Sequence, residues 1–419
     1  MRILLIAPKC YPIEGAESIV NIKMLQAFAP YEDIEVDVVS RRHNAGVYPS
    51  DGIERYNVRV GELCIVESCN KLNLKTMWQT FMCFVVFGSG FKGSVWAYAA
   101  LPYIKQIIKK KHYDFVLTKN SPSFLLGAYL NRKGIPWVAS WNDPAPDGFY
   151  PAPYGRDADH RPSFLERLIL RQMRRADYHV FPSQQLLEHM VSYLHVDKNH
   201  CRVIPHAIIR DSCDKDRVRV ANESNHGLMR IIHSGNLSSP RDPTSFFTAI
   251  NNVLERNPDF KIQVTVLGRV NDDVLPSEKK FPALNKCFKC IPPVEYNKAL
   301  RLLTEYDLAC IIEANTKVGK AVFLPTKVTD FMQMGIPIMS VSPRGGVLHS
   351  LYMNGNIGYF CDVADIKSIE NALISAYQDY IRGGLKKNVI DDCFLPQGIV
   401  SAYRSIEDDL KTHIAVNSH

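Results

Sequence analysis

The first half of the chain alternates short apolar runs with segments of helical period. The runs that predict β-strands lie at residues 1–8, 34–39, 115–118, 137–140, 178–182 and 202–204. The segments that predict helices lie at residues 18–28, 122–132 and 164–174. Parallel strands need such crossover helices between them. This half therefore predicts a parallel sheet covered on both faces.

A second alternation follows a polar, charged segment at residues 209–225. Its predicted strands lie at residues 230–234, 262–267, 308–312 and 336–341, and its predicted helices at residues 243–255, 294–303 and 326–334. A final amphipathic helix is predicted at residues 397–414, with Ile399, Tyr403, Ile406 and Leu410 on one face.

These patterns predict an α/β protein of two Rossmann-like lobes that face each other across a cleft, with the last helix returning to the first lobe. The predicted domains are residues 1–208, 209–395 and 396–419, the third being that helix. Ligands bind at the carboxyl ends of the strands in such sheets, so the chemistry is expected in loops that follow strands.

Composition fits an ordinary globular protein, with 419 residues of which 46% are hydrophobic. The 50 Lys and Arg only slightly exceed the 43 Asp and Glu, which indicates a mild preference for anions and no nucleic-acid partner. The eleven cysteines are scattered and odd in number, which favours a reducing, cytoplasmic compartment.

Metal chemistry has little support in the sequence. Cys287 and Cys290 form a lone C-x-x-C without a second pair at zinc-site spacing, so two core-facing thiols are expected. The D-x-D strings at residues 157–159 and 214–216 lie in polar loops, where solvated carboxylates are expected. We expect no metal and no cofactor.

The most apolar stretch lies at residues 77–104, but Lys92 and three glycines interrupt it. Neither part reaches the ~20 residues of a membrane-spanning helix, and the N-terminal apolar run is too short for a signal peptide. The aromatic residues of this stretch are followed by Lys105, Lys109, Lys110 and Lys111. Such a segment either contacts an anionic membrane surface peripherally or forms a buried helix pair.

Two glycine turns follow predicted strands. Gly15 lies before the first helix, where a bare backbone lets N–H groups approach a phosphate, although a plain turn needs glycine equally. Gly235 ends a strand and precedes Arg241 and Pro243, which open the next helix. The guanidinium of Arg241 can bind two phosphate oxygens; the alternative is a solvated side chain.

The third motif spans residues 323–337. It predicts a short helix opened by Thr326, after Pro325, and stopped by Gly335. Lys327 and Asp330 then share one face, where Lys327 can neutralise phosphate and Asp330 can accept hydrogen bonds from ribose hydroxyls. The alternative is a surface ion pair.

The chain resembles family 4 of the retaining glycosyltransferases, which have the GT-B fold. The segments that carry the resemblance occur in the family's order and lie at residues 12–17, 202–206, 235–241 and 325–337. The resemblance implies that the second lobe holds a nucleotide diphosphate sugar and the first lobe holds the acceptor. It assigns the diphosphate to Arg241 and Lys327, with Gly15 closing over it.

The resemblance also assigns the donor to Gly235, Pro325 and Thr326, and the ribose to Asp330. The family has a glutamate eight residues before that last carboxylate, whereas this chain has Val322; Glu14 likewise stands where the first glycine is usual. Asp143, in a polar segment after a strand, resembles the family's acceptor-side motif and would orient the acceptor hydroxyl. An Asx turn before Pro144 is the alternative.

The function expected from this resemblance is retaining sugar transfer to a hydroxyl without a metal. The acceptor would be a lipid-linked glycan in cell-surface polysaccharide biosynthesis, handled by a cytoplasmic enzyme peripheral on the inner face of the membrane. Two alternatives remain open: a sugar-nucleotide epimerase of the same fold, and a non-catalytic nucleotide-sugar-binding subunit.

Overall fold

The computed structural model describes residues 1–13, 15–42, 53–68, 73–91, 93–209 and 227–417. It divides the chain into two compact units. Unit 1 comprises Met1–Tyr150, Gly155–Ile209 and Asp392–His419, and unit 2 comprises Pro151–Tyr154 and Arg210–Asp391. These ranges differ from the predicted domains chiefly at residues 151–154 and 392–395. Most of the segment predicted to join the domains lies outside the described residues.

Unit 1 is built on a seven-stranded parallel sheet in the order β3-β2-β1-β4-β5-β6-β7. Its strands are β1 (Arg2–Ile6), β2 (Glu35–Arg42), β3 (Leu63–Glu67), β4 (Phe115–Lys119), β5 (Trp137–Ser140), β6 (Tyr178–Phe181) and β7 (Cys201–Val203). Its helices are α1 (Ala16–Phe28), α2 (Leu74–Phe87), α3 (Ser94–Lys110), α4 (Phe124–Asn131), α5 (Phe164–Met173) and α6 (Gln184–Leu194). The chain order reverses between β1 and β4.

Unit 2 has a six-stranded parallel sheet in the order β10-β9-β8-β11-β12-β13. Its strands are β8 (Met229–Ser234), β9 (Ile262–Leu267), β10 (Phe288–Ile291), β11 (Leu308–Ile312), β12 (Ile338–Ser342) and β13 (Tyr359–Asp362). Its helices are α7 (Thr244–Arg256), α8 (Pro282–Asn285), α9 (Tyr296–Leu303), α10 (Thr326–Gln333), α11 (Val347–Met353) and α12 (Ile366–Ile381). The order reverses between β8 and β11.

The last helix, α13 (Pro396–Asn417), belongs to unit 1, as predicted. Its buried face carries Ile399, Tyr403, Ile406 and Leu410, which join the unit 1 core. The ring of Tyr403 meets Phe28 of α1 edge-on, with the ring centroids 5.4 Å apart. Burial of this apolar stripe attaches the C-terminal end of the chain to the first sheet.

The strands that the sequence pattern missed are β3, β10 and β13. Each lies at an edge of its sheet. The residues of β10 are half-buried or exposed, and β3 and β13 each mix buried residues with exposed or half-buried ones. An edge strand that faces water lacks the continuous apolar run of a central parallel strand, so the pattern is weaker there.

The apolar stretch at residues 77–104 was predicted either to contact a membrane surface or to form a buried helix pair. In the structure it has both a buried part and an exposed part. Phe87 of α2 and Trp96 of α3 are fully buried, whereas Trp78 and Phe81 of α2 are 61% and 56% exposed. Lys111 does not extend a basic surface, because its ammonium pairs with Glu35 and with the buried Asp37, each at 2.9 Å. None of the described helices is long and apolar enough to cross a membrane.

Candidate active site

The loops that follow β8 and β11 meet at the point where the strand order of unit 2 reverses. Gly235 directly follows β8 with φ +126°, a conformation that favours glycine. A Cβ atom at Gly235 would lie 2.6 Å from both Cε and Nζ of Lys327, which comes from the first turn of α10. The absence of a side chain at Gly235 therefore creates the space for the lysine. We call Gly235, Arg241 and Lys327 the cation site.

Lys327 is partly buried, and its charge is balanced by its neighbours. Burial, followed by the positive charge of Arg241, lowers the pKa of Lys327 to about 7. The carboxylates of Glu313 and Asp330 act in the opposite direction. Two cations held this close repel each other until an anion separates their charges, so the cation site is suited to an anionic ligand.

Tyr154 holds Arg241 in place and was not found from the sequence. It belongs to the short segment of residues 151–154 that is part of unit 2. Its side chain hydrogen-bonds Arg241, and its ring meets Phe323 edge-on at 5.3 Å. Burial raises the pKa of Tyr154, so the phenol stays protonated. No sequence signal could identify it, because the contact joins positions far apart in the chain.

Glu313 is a second residue of this site to which the sequence analysis gave no role. It directly follows β11 and is only 6% exposed. Burial raises the pKa of Glu313 to about 7, although the charges of Arg241 and then Lys327 lower it. His233, in β8, is 1% exposed and is influenced by the same two cations. Both residues therefore lie beside the cation site.

Asp330 accepts a hydrogen bond from a tyrosine hydroxyl. The OH of Tyr296, in the first turn of α9, donates to Oδ1 of Asp330 at 2.7 Å. Burial and then the charge of Asp330 raise the pKa of Tyr296, so this proton stays in the hydrogen bond. The contact fixes one carboxylate oxygen and orients the side chain.

The helix α10 begins at Thr326, as predicted, but the side chain of Thr326 does not cap it. Pro325 occupies the N-cap position without a side-chain hydrogen bond, and Thr326 is the first helical residue. Gly335 follows the end of the helix with φ +66°, as expected for a helix stop. The donor-binding roles of Pro325 and Thr326 stay predictions.

Unit 1 contains a pocket of about 200 Å³ at its own point of strand reversal, which we call the β1–β4 pocket. Asp143 and Tyr150 line it, together with Lys9, Glu17, Asn120 and Trp141. Burial, then the charges of Asp143, Asp147 and Glu17, raises the pKa of Tyr150. The pocket thus combines carboxylates, an amide and a protonated phenol, which suit a hydroxyl-bearing ligand.

Asn120 fixes the geometry of this pocket. Its Nδ2 donates to Glu17 of α1 at 2.9 Å, and its Oδ1 accepts from the backbone N–H of Asn142 at 2.7 Å. Glu17 is also paired with Lys9 at 3.1 Å. Gly15 is the N-cap residue of the same helix, with φ +155° and open space where a Cβ would be. Its role toward a diphosphate stays a prediction, and Glu14 lies outside the described residues.

The cysteine and D-x-D predictions are partly wrong. Cys287 is half-buried, but Cys290 is exposed on the edge strand β10, so these thiols do not both face the core. Asp157 is half-buried, and its Oδ1 lies 4.0 Å from Nδ1 of the buried His189. The string at 214–216 lies outside the described residues. Among those that are described, no group of three or more His, Cys, Asp or Glu could hold a metal.

Comparison with known proteins gives a family for part of the chain. Residues 81–211 match the sequence model of Glycosyltransferase Family 4. The chain carries a family 4 glycosyltransferase domain and is a glycosyltransferase. No curated protein matches the sequence.

Solved structures show that the GT-B fold of this glycosyltransferase extends over the whole chain. The apo lipopolysaccharide outer core galactosyltransferase WaaB is 12% identical with a TM-score of 0.58, and the alignment covers 100% of both chains. Sucrose-phosphate synthase from Thermosynechococcus elongatus is 12% identical with a TM-score of 0.60, covering 99% of this chain and 98% of the other. The E. coli trehalose-6-phosphate protein bound with UDP-2-fluoro glucose is 10% identical with a TM-score of 0.55, with the same coverage.

Proposed function

We propose that the protein transfers a sugar from a nucleotide diphosphate donor to a hydroxyl acceptor with retained anomeric configuration. The observation that carries the proposal is the cation site, where Lys327 lies beside Gly235 at the strand reversal of unit 2 and is close enough to Arg241 to be influenced by its charge. A bidentate guanidinium and an ammonium stabilise a departing diphosphate. One structure with the same fold binds a UDP sugar, which supports this donor class.

The chemistry needs no metal in this proposal. The bond between the anomeric carbon and the diphosphate oxygen breaks while the acceptor oxygen bonds to that carbon on the same face. The acceptor proton passes to the departing phosphate oxygen. Arg241 and Lys327 supply the positive charge that a divalent ion otherwise provides.

The β1–β4 pocket is the proposed acceptor site. Asp143 would orient the acceptor by accepting a hydrogen bond from a hydroxyl next to the reacting one, and the protonated Tyr150 would donate one to a neighbouring oxygen. Asn120 keeps Glu17 and the loop of Asn142 in place around them. An arrangement of fixed donors and acceptors suits a carbohydrate.

The acceptor is proposed to be a lipid-linked glycan for a cell-surface polysaccharide, reached from the cytoplasmic face of a membrane. A row of exposed apolar side chains along α2 supports this: Leu74, Met77, Trp78, Phe81 and Val85. Two exposed cations, Lys105 and Arg132, lie over Tyr129, which meets Phe87 of α2 edge-on. Aromatic residues beside cations are typical of surfaces that bind anionic lipid.

The test is a thermal-shift screen of nucleotide sugars, followed by a turnover assay with and without a lipid-linked acceptor and with excess EDTA. Acceptor-dependent release of nucleoside diphosphate that persists in EDTA is expected. Conversion of one sugar nucleotide to another without acceptor would instead identify an epimerase. Tight binding without any turnover would identify a binding subunit.

A further inference from the structure

Two buried polar atoms beside the cation site have no hydrogen-bond partner among the described residues. They are Oε2 of Glu313 and Nε2 of His233. Their residues are 6% and 1% exposed. A buried polar group without a partner is costly, so its presence in a ligand site suggests that the ligand supplies the partner.

The contacts of His233 determine which of its ring nitrogens can accept a hydrogen bond from a ligand. Its Nδ1 lies 3.0 Å from the backbone carbonyl oxygen of Cys310. Because a carbonyl only accepts, Nδ1 must carry the hydrogen. Burial and then the charge of Lys327 hold the pKa of His233 well below its usual value, so the ring is neutral. Its Nε2 therefore presents a lone pair, 4.0 Å from the position that a Cβ at Gly235 would occupy.

Glu313 offers a second acceptor. Its backbone N–H is fixed to the carbonyl of Val341 in β12 at 3.0 Å. The groups that act on its carboxylate are Arg241, from the loop before α7, and Lys327, from α10. The carboxylate in turn acts on the phenol of Tyr154. Burial raises the pKa of Glu313 to about 7 and the two cations lower it, so above pH 7 the carboxylate is ionised and has no hydrogen to donate.

A ligand for this place must carry an anion and hydroxyl groups together. A diphosphate diester satisfies the cations but has no hydrogen to donate to Glu313 or His233. The hydroxyls of a sugar attached to that diphosphate supply such hydrogens. We infer that Glu313 and His233 recognise hydroxyl groups of the transferred sugar and thereby determine the donor's specificity. This inference rests on the proposed function.

The experiment measures how much affinity the sugar adds. Calorimetry measures the affinity for UDP-glucose, UDP-galactose and GDP-mannose and the affinity for the nucleoside diphosphate of each. The ratio of the two affinities is the sugar's contribution, and it is compared between the parent and Glu313→Gln. The isosteric amide keeps the shape but removes the charged acceptor, so the sugar's contribution should fall ~10-fold or more. Affinity for the free diphosphate should stay equal or rise, because a negative charge is removed. Glu255→Gln, an exposed position of α7, is the matched control and should change neither.

Deoxy analogues of the best-bound sugar give a readout that does not depend on how a variant folds. In the parent, at least one of the 2-, 3-, 4- and 6-deoxy forms should bind ~10-fold more weakly than the full sugar. The same deoxy form should lose little in Glu313→Gln, since the two changes remove one interaction. His233→Gln should show the same behaviour toward a neighbouring hydroxyl.

Different outcomes refute the proposed function and the assignment of Glu313 and His233 to the sugar. A parent protein that binds no nucleoside diphosphate would refute the proposed function. Binding of the diphosphate with a sugar contribution that Glu313→Gln and His233→Gln leave unchanged would refute only this inference. Deoxy sugars that all bind as well as the full sugar would refute it as well.

Discussion

The side chain of Lys327 occupies the space that a side chain on Gly235 would need: a Cβ on the glycine would lie 2.6 Å from the lysine ammonium. The two residues are 92 positions apart, one after β8 and the other at the start of α10. Their contact turns two separate sequence motifs into one site.

Gly235→Ala should displace Lys327 and weaken donor binding. Loss of one charge-assisted contact corresponds to ~10-fold in affinity. Alanine at this φ should also lower the free energy of unfolding by about 1–2 kcal/mol. Gly383→Ala has a positive φ but open space for its Cβ, so it controls for strain alone. Calorimetry and urea unfolding separate the two effects; equal donor affinity in both variants would contradict the prediction.

Donor affinity should fall as the pH rises above about 7. The pKa of Lys327 is about 7 in the ligand-free protein, and a bound diphosphate raises it, so binding takes up a proton. Affinity is then highest below pH 7 and declines by up to ~10-fold per pH unit above it. A nucleotide sugar is the proper ligand because its diphosphate diester does not titrate in this range.

Lys327→Ala is the companion variant for that pH series. It should weaken nucleotide diphosphate binding far more than nucleoside binding, and its pH profile above 7 should be flatter. Burial also raises the pKa of Glu313 to about 7, in the same pH range, so the series should be repeated in Glu313→Gln. An equal loss of affinity for nucleoside and diphosphate would remove Lys327 from the phosphate site.

Arg241→Ala should reduce donor affinity, and Arg241→Lys should recover only part of it because the bidentate fork is lost. Tyr154→Phe should give a smaller loss of about 2- to 10-fold, since it removes one hydrogen bond to the guanidinium and keeps the ring contact with Phe323. Full affinity in Arg241→Ala would exclude this arginine from the site.

Asp330→Asn should remove the preference for ribose over 2′,3′-dideoxyribose in the donor. The carboxylate has one oxygen bound to Tyr296, and we expect the other to accept from the ribose. Loss of a charged acceptor costs ~10- to 100-fold in affinity. Tyr296→Phe leaves the carboxylate in place and should reduce this preference less. Calorimetry with both nucleotide forms tests this; an unchanged ribose preference in Asp330→Asn argues for a surface role.

Trp78→Ser with Phe81→Ser should release the protein from anionic vesicles. Each large apolar side chain that leaves the membrane interface costs ~1.5–3 kcal/mol. Met353→Ser, at another exposed apolar position, is the matched control. Lys105→Glu with Arg132→Glu should weaken binding to anionic vesicles and leave neutral vesicles unaffected. If the parent fails to sediment with vesicles, the exposed apolar side chains of α2 do not bind a membrane.

The sequence pattern predicted most of the central strands because they are largely buried and rich in apolar, β-branched residues. The strand at 262–267, for example, agrees with β9 residue for residue. Glycine turns after strands also located Gly235, and the helix signals around Thr326 located Lys327. Local rules suffice for such features, since strand burial and helix ends depend on near neighbours in the chain.

What the sequence by itself determined is the fold class, the serial order of two α/β units and the candidate cations. Only the tertiary structure decided that Tyr154 holds Arg241, that Glu313 and His233 lie beside the same cations, and that Lys111 pairs with the buried Asp37. The physical reason is that burial and charge compensation arise from contacts between distant segments. No local pattern of residues records which segments those are.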